Sequence, residues 1–189
     1  MTWKRLRIFC CSVVKDRFAG RGRSGMKHSY GFAPIAAANA RVLILGSLPG
    51  QRSLAEQEYY AHPQNAFWRI MADLHGISGA YETRCAGLIE RRIALWDVLY
   101  GSVRPGSLDA DIRQQTAVAN PLKDFLHEHP SIRQILFNGK KSESLFRKLV
   151  PIEGLEEIRL IGLPSTSPAY AAMPYDKKLA AWREALLTS

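Results

Sequence analysis

Asn65 stands in the segment Tyr59-Tyr-Ala-His-Pro-Gln-Asn-Ala-Phe-Trp68, where two tyrosines, a histidine and a side-chain amide gather just ahead of an apolar helical pattern. An amide offers both a carbonyl acceptor and an NH₂ donor, so Asn65 suits polarising a water or a planar ring. At a helix start it equally suits an N-cap. Tyr60 suits stacking on a planar base, whereas Phe67 fits the apolar stripe of the helix. Four further groups have chemical potential. Gly46-Ser-Leu-Pro-Gly50 is a sharp turn whose backbone can approach a ligand, or simply a tight structural turn. It lacks the glycine spacing of a dinucleotide fingerprint and the Lys-Ser/Thr pair of a phosphate-binding loop. Leu163-Pro-Ser-Thr-Ser-Pro-Ala169 holds hydroxyls between prolines, able to bond phosphate oxygens or to cap a turn. Asn138-Gly-Lys140 offers a helix N-terminus and a lysine to an anion. Asp97 ends an apolar run, as an electrostatic or general-base contributor or as a structural carboxylate.

The elements that must position these groups alternate. Apolar runs at 41–46, 93–98, 132–137 and 157–163 read as strands buried on both faces. Phe67, Ile70, Met71 and Leu74 fall at helical spacing after Asn65, with Gly76 as the stop. Further helices are expected at 81–92, from near Leu108 with Ser107 as cap, from Asn120-Pro121 to about His129, over 139–150, and over 175–187. Residues 47–64 and 164–174 read as loops. Four strands separated by helices predict a three-layer α/β/α sandwich around a mainly parallel four-stranded sheet. Ligands of such sheets bind beyond the carboxyl ends of the strands. All four chemical segments fall there.

The chain has 189 residues, which favours a single domain, and 47% hydrophobic against 23% charged residues is ordinary globular composition. Its charge is uneven. Residues 1–25 carry seven basic groups against Asp16 alone, and so hold +6 of the +9 total. They read as a basic flexible arm, with 26–189 as one folded domain and Met26 a candidate natural start. Cys10, Cys11 and Cys85 provide neither a disulfide framework nor four thiolates for an iron–sulfur cluster. No apolar run approaches the ~18 residues of a membrane span. These features predict a soluble cytoplasmic protein, nucleoid-associated in a bacterium, without structural metal.

Taken together, the strand-end motifs resemble the uracil-DNA glycosylase superfamily, most closely its hypoxanthine (deoxyinosine) DNA glycosylase branch. The resemblance covers about residues 31–187. It implies a base-excision repair enzyme that flips a deaminated base from double-stranded DNA and hydrolyses its glycosidic bond, acting as a monomer without cofactor or metal. Unstacking is least costly for a mispaired base, and hypoxanthine pairs imperfectly with thymine. The resemblance further implies Asn65 as the catalytic amide, with Asp97 as a second catalytic candidate. Gly46, Ser47, Leu48, Tyr60 and His62 are the implied base contacts. Asn138, Lys140, Ser165, Thr166 and Ser167 are the implied DNA contacts. In the mismatch-specific uracil enzymes the first turn resembles Gly-Ile-Asn-Pro-Gly, whose asparagine handles the water; here Leu48 stands in that place. That departure argues against uracil excision by the same machinery. A uracil or mismatch enzyme and a non-catalytic nucleic-acid-binding module are the alternatives. Simple hydrolysis needs no lysine nucleophile, so no strand-cutting lyase step is expected.

Overall fold

The computed structural model describes residues 28–106, 108–151 and 153–187. The proposed arm at 1–25 and the Ser107 cap lie outside the described residues. Two sheets organise the rest. Strands β2 (Val42–Gly46), β3 (Ile93–Asp97), β6 (Gln134–Asn138) and β7 (Arg159–Leu163) form a parallel sheet in the order β3-β2-β6-β7. The first three are buried along their whole length, as expected of apolar runs covered on both faces. The second sheet is small and antiparallel, ordered β1-β4-β5 from His28–Tyr30, Leu99–Val103 and Val118–Ala119.

Helix α1 (Gln51–Glu56) follows β2 directly, then come α2 (Phe67–His75) and α3 (Tyr81–Glu90). Helix α4 (Leu122–Glu128) leads into β6, α5 (Lys140–Leu149) links β6 to β7, and α6 (Tyr175–Leu187) closes the chain. Parallel crossovers are right-handed, and β3 and β6 lie on opposite sides of β2. The connections β2–β3 and β3–β6 therefore cover opposite faces. Ring contacts agree: Phe67 of α2 meets Trp182 of α6 at 6.0 Å, while Phe125 of α4 meets Trp96 of β3 at 5.1 Å, and Phe146 of α5 meets Phe137 of β6 at 5.1 Å. The expected sandwich and parallel sheet are present, with the antiparallel sheet added.

Three local expectations change. Residues 47–64 are not all loop, because they contain α1, whose one buried residue is Ser53. The helix expected near Leu108 is two 3₁₀ turns, Asp109–Asp111 and Gln114–Thr116, with no buried residue in either. Without an apolar stripe, nothing holds a longer helix against the core. Asn120 does not cap α4. Its amide donates instead to the Asp97 carbonyl at 2.8 Å, pinning the end of β3.

Candidate active site

Three strands of the parallel sheet end side by side in polar or glycine residues. Gly46 pairs with Asp97 across β2 and β3, and Asn138 follows Phe137, the partner of Leu45 on β6. Side chains at one register level of a parallel sheet share a face. Asp97, the Cβ-less Gly46 and Asn138 therefore make one row on the face covered by α2 and α6. Tyr60 sits over the middle of this row. A methyl group on Gly46 would collide with the Asp97 carboxylate and lie 3.0 Å from the Tyr60 hydroxyl. Glycine is thus required here by close approach, not by its backbone angles.

Asp97 is 3% exposed and its Oδ2 has no hydrogen-bond partner among the described residues. Burial pushes its carboxyl up to about 8, Asp109 adds to the rise, and the Arg104 guanidinium opposes it. The acid is therefore largely neutral near pH 7. The Tyr60 hydroxyl is also buried without a partner. Burial raises its pKa strongly, Asp97 adds to the rise, and the nearby Asn138 amide, outside hydrogen-bond geometry, opposes it. Tyr60 itself is half-buried, with its ring 4.2 Å from Phe67 at 30°, and its φ of 55° is left-handed. Such conformations cost about 1–3 kcal/mol in non-glycine residues and persist where surrounding contacts over-determine them.

Asn65 lies two residues before α2. Its Oδ1 accepts from the Phe67 N–H at 3.0 Å, closing a turn ahead of the helix. The cap position belongs to Ala66. Asn65 therefore tethers the helix start from outside, and its Nδ2 makes no hydrogen bond among the described residues. Next to it, the Ala66 N–H donates to the Thr166 carbonyl at 2.9 Å. Thr166 and Asn138 bond each other twice: Asn138 Nδ2 donates to Thr166 Oγ1 and the Thr166 N–H donates to Asn138 Oδ1, both at 2.8 Å. Hydrogen bonds thus link the Asn65 turn through Thr166 to Asn138, which shares its register level with Gly46 and Asp97.

Not every expected site residue faces outward. Leu48 is 5% exposed and packs in the core. Asn138 and Thr166, expected as DNA contacts, are buried and satisfied by each other, so they shape the loop from within. Ser165 and Ser167 are half-buried, their hydroxyls each accepting from a backbone N–H two residues on at 3.2 Å. Lys140 is exposed at the first turn of α5. Gly139 before it has φ 98°, and a side chain there would strike Ser165. His62 is exposed, with Nδ1 accepting from the Gln64 N–H at 3.2 Å. Ser47 donates to Asp109 Oδ1 at 2.5 Å.

Sequence reasoning passed over Arg104. It is 1% exposed and donates to the carbonyls of Leu48, at 3.1 Å, and Pro49. Its guanidinium holds the Gly46–Gly50 turn from behind while its charge faces Asp97 and Asp109. The only sequence signal was an arginine in a Gly/Pro-rich loop. Among the described residues, no three His, Cys, Asp or Glu side chains are placed to hold a metal ion, and no helix is long and apolar enough to cross a membrane.

A parallel α/β sheet with a buried acid, a left-handed tyrosine and an amide at its carboxyl end defines a ligand-handling α/β protein. The chain belongs to the uracil DNA glycosylase superfamily, whose model matches residues 33–187. It is 40% identical over 118 residues to a hypoxanthine DNA glycosylase of Methanosarcina barkeri, and 37% identical over 115 residues to one of Methanosarcina acetivorans. Each match covers 59% of this chain and 72% of the relative. A solution NMR structure of a candidate uracil DNA glycosylase from Methanosarcina acetivorans superposes with a TM-score of 0.69 at 32% identity. That match covers 84% of this chain and 98% of the other.

Proposed function

We propose that this protein is a monofunctional DNA glycosylase that releases hypoxanthine from deoxyinosine in double-stranded DNA. The observation that carries the reading is the pair of buried, unpartnered polar atoms, Tyr60 Oη and Asp97 Oδ2, beside Gly46. Buried polar groups are nearly always satisfied, so an unsatisfied pair at a strand-end site calls for a ligand or water. The two relatives named for hypoxanthine support the choice of base. The absence of an amide at Leu48 weighs against a water handled from the first turn.

In the reaction, the C1′–N9 bond breaks and its electron pair leaves with the base. Water then bonds to C1′ and its lost proton ends on the released base, leaving free hypoxanthine and an abasic sugar. Positive charge grows on the sugar and negative charge on the base. Asn65 is the catalytic amide, its free Nδ2–H donating to the departing base or its second carbonyl lone pair orienting the water. Tyr60 and Asp97 form the floor that takes the polar edge of the base. A neutral acid can donate a hydrogen bond to a group gaining negative charge, whereas an ionised carboxylate would repel it. Lys140, Ser165 and Ser167 contact the DNA backbone. The flipped deoxyinosine enters as the substrate of a monomer.

The test is single-turnover base release from duplexes containing hypoxanthine, uracil or xanthine. Asn65→Ala should lose ~10²–10³ in rate, the usual cost of one preorganised hydrogen-bonding group. Its stability should fall by only about 1 kcal/mol, the part due to the helix-start tether. Near-normal release by Asn65→Ala would remove Asn65 from the chemistry. Release confined to uracil would overturn the substrate.

A further inference from the structure

The other end of the sheet carries a charge pattern that base excision does not use. Every strand of the parallel sheet is entered at an arginine: Arg92 before β3, Arg41 before β2, Arg133 before β6, and Arg159 opening β7. In sheet order these four are neighbours joined by backbone hydrogen bonds. The Arg41 N–H donates to the Arg92 carbonyl at 2.8 Å, Arg133 N–H to the Arg41 carbonyl at 2.9 Å, and Arg159 N–H to the Arg133 carbonyl at 2.9 Å. All four are exposed. Arg41, Arg133 and Arg159 line a cavity of about 310 Å³ with Ser131 and Gln134.

None of the four has an ion-pair partner among the described residues. The ion pairs among the described residues are Arg52–Glu56, Arg84–Glu58 and Arg147–Glu143. Arg133 bonds the backbone carbonyls of Pro130 and Ile132, and Arg159 the side-chain oxygen of Gln134 at 3.0 Å. The ends of α3, α4 and α6 lie near this edge, and their C-terminal dipoles draw on some of this charge. Dipole ends amount to about half a charge each and do not offset four guanidiniums.

We propose that this arginine row is a second, sequence-independent binding surface for the phosphate backbone of a DNA duplex. Strands lie ~4.8 Å apart, so the row is about 14 Å long. A DNA strand advances ~3.4 Å per phosphate, which places about four phosphates along it. The strands between the two ends are five residues long, about 16 Å. One straight duplex docked at Asn65 and Tyr60 therefore does not reach the row. The row's partner is a different duplex segment, and the enzyme bridges two segments while it searches. This inference rests on DNA as the substrate class and not on which base is removed.

Two short lesion-free duplexes, one with a donor and one with an acceptor fluorophore, test it with the full chain. Wild type should bring them together at low salt and release them as salt rises. The triple variant Arg41→Gln, Arg133→Gln, Arg159→Gln should lose bridging. The log–log salt slope of bridging by wild type should exceed that of single-duplex binding by roughly 2–3, at about 0.9 for each phosphate the row neutralises. Single-turnover base release at saturating enzyme should stay within about twofold. The matching triple lysine variant, which keeps the charge, should bridge. If the glutamine triple fails to fold, Arg41→Gln with Arg92→Gln is read the same way, because those side chains make no hydrogen bond among the described residues. Absence of bridging by wild type, or bridging by the folded glutamine variants equal to wild type, overturns the proposal.

Discussion

At the carboxyl end of the parallel sheet, Asp97, Arg104 and the Tyr60 hydroxyl are buried polar groups, Asp97 and Tyr60 flank Gly46, and Asp97 Oδ2 and Tyr60 Oη have no hydrogen-bond partner among the described residues. At the amino end, Arg41, Arg92, Arg133 and Arg159 stand in solvent. Both ends concentrate polarity on the same strands, but the physics differs. Buried groups respond to desolvation, so small geometric changes carry large consequences. Exposed charges act through a field that salt screens, and each contributes little to stability. The carboxyl end is thus built for one ligand in one pose, and the amino end for any anionic backbone. Substitutions at the two ends should separate accordingly.

Among the floor residues the largest effect is expected at Gly46. A methyl group there meets the Asp97 carboxylate and the Tyr60 hydroxyl, and Asp97 is itself buried. Overpacking of this kind costs about 1–3 kcal/mol. It also displaces the proposed floor, and a misplacement near 1 Å can cost roughly 10²-fold in rate. Thermal melts with single-turnover release check both parts; a Gly46→Ala enzyme with wild-type release would show that the floor tolerates movement.

Tyr60→Phe should divide stability from activity. Its hydroxyl is buried with no partner, so deletion should change stability by less than about 1 kcal/mol in either direction. Losing one ordinary hydrogen bond to the base, about 1.4 kcal/mol, should slow release roughly tenfold. A clear stability loss with unchanged release would make the hydroxyl a structural group after all.

Much of this contrast was legible in the sequence, and the parts that were not share a cause. Strands β2, β3 and β6 announced themselves because burial on both faces demands continuous apolar runs such as Val42–Gly46, whereas β7, expected to be buried likewise, lies at the sheet edge and buries only Leu163. Strand β4, Leu99–Val103, did not, because Gly101 and Ser102 interrupt its apolar pattern and it pairs with β1 and β5 instead. Helix α1 was hidden because its sequence is polar and buries only Ser53. Asn65, Tyr60 and Asp97 could be singled out from residue type and strand-end position. Arg104 could not, since its role depends on carbonyls at Leu48 and Pro49, far away along the chain. The arginine row was equally invisible. Single arginines before four strands become a row only once the order β3-β2-β6-β7 is known.

Asp97→Asn addresses the protonation of the floor. With its carboxyl raised to about 8 from an ordinary 3.8, the folded state holds a proton that the unfolded chain releases. Stability from this group is therefore full at acid pH and declines as pH rises from about 4 through about 8. The asparagine variant should lose that decline in a series of melts. It should also keep most base release at neutral pH, because the amide still donates. Wild-type release should fall as pH passes about 8, and the variant's should fall less. Release that rises with Asp97 ionisation, and collapses in the asparagine variant, would make Asp97 a general base.

The smallest effect belongs to the amino end and sharpens the comparison most. Arg41 is exposed, and its side chain makes no hydrogen bond or ion pair among the described residues. Arg41→Gln should therefore leave stability within about 0.5 kcal/mol, as for surface changes away from special features. Base release at saturating enzyme should be indistinguishable from wild type, because the reacting base sits at the far end of the strand. Only the salt dependence of bridging between lesion-free duplexes should move, by about 0.9 in the log–log slope if Arg41 meets one phosphate. A titration across salt concentrations measures this without reference to any lesion. If Arg41→Gln slowed release at saturating enzyme while leaving the slope alone, charge at the amino end would be acting on the chemistry, and the division between the two ends would fail.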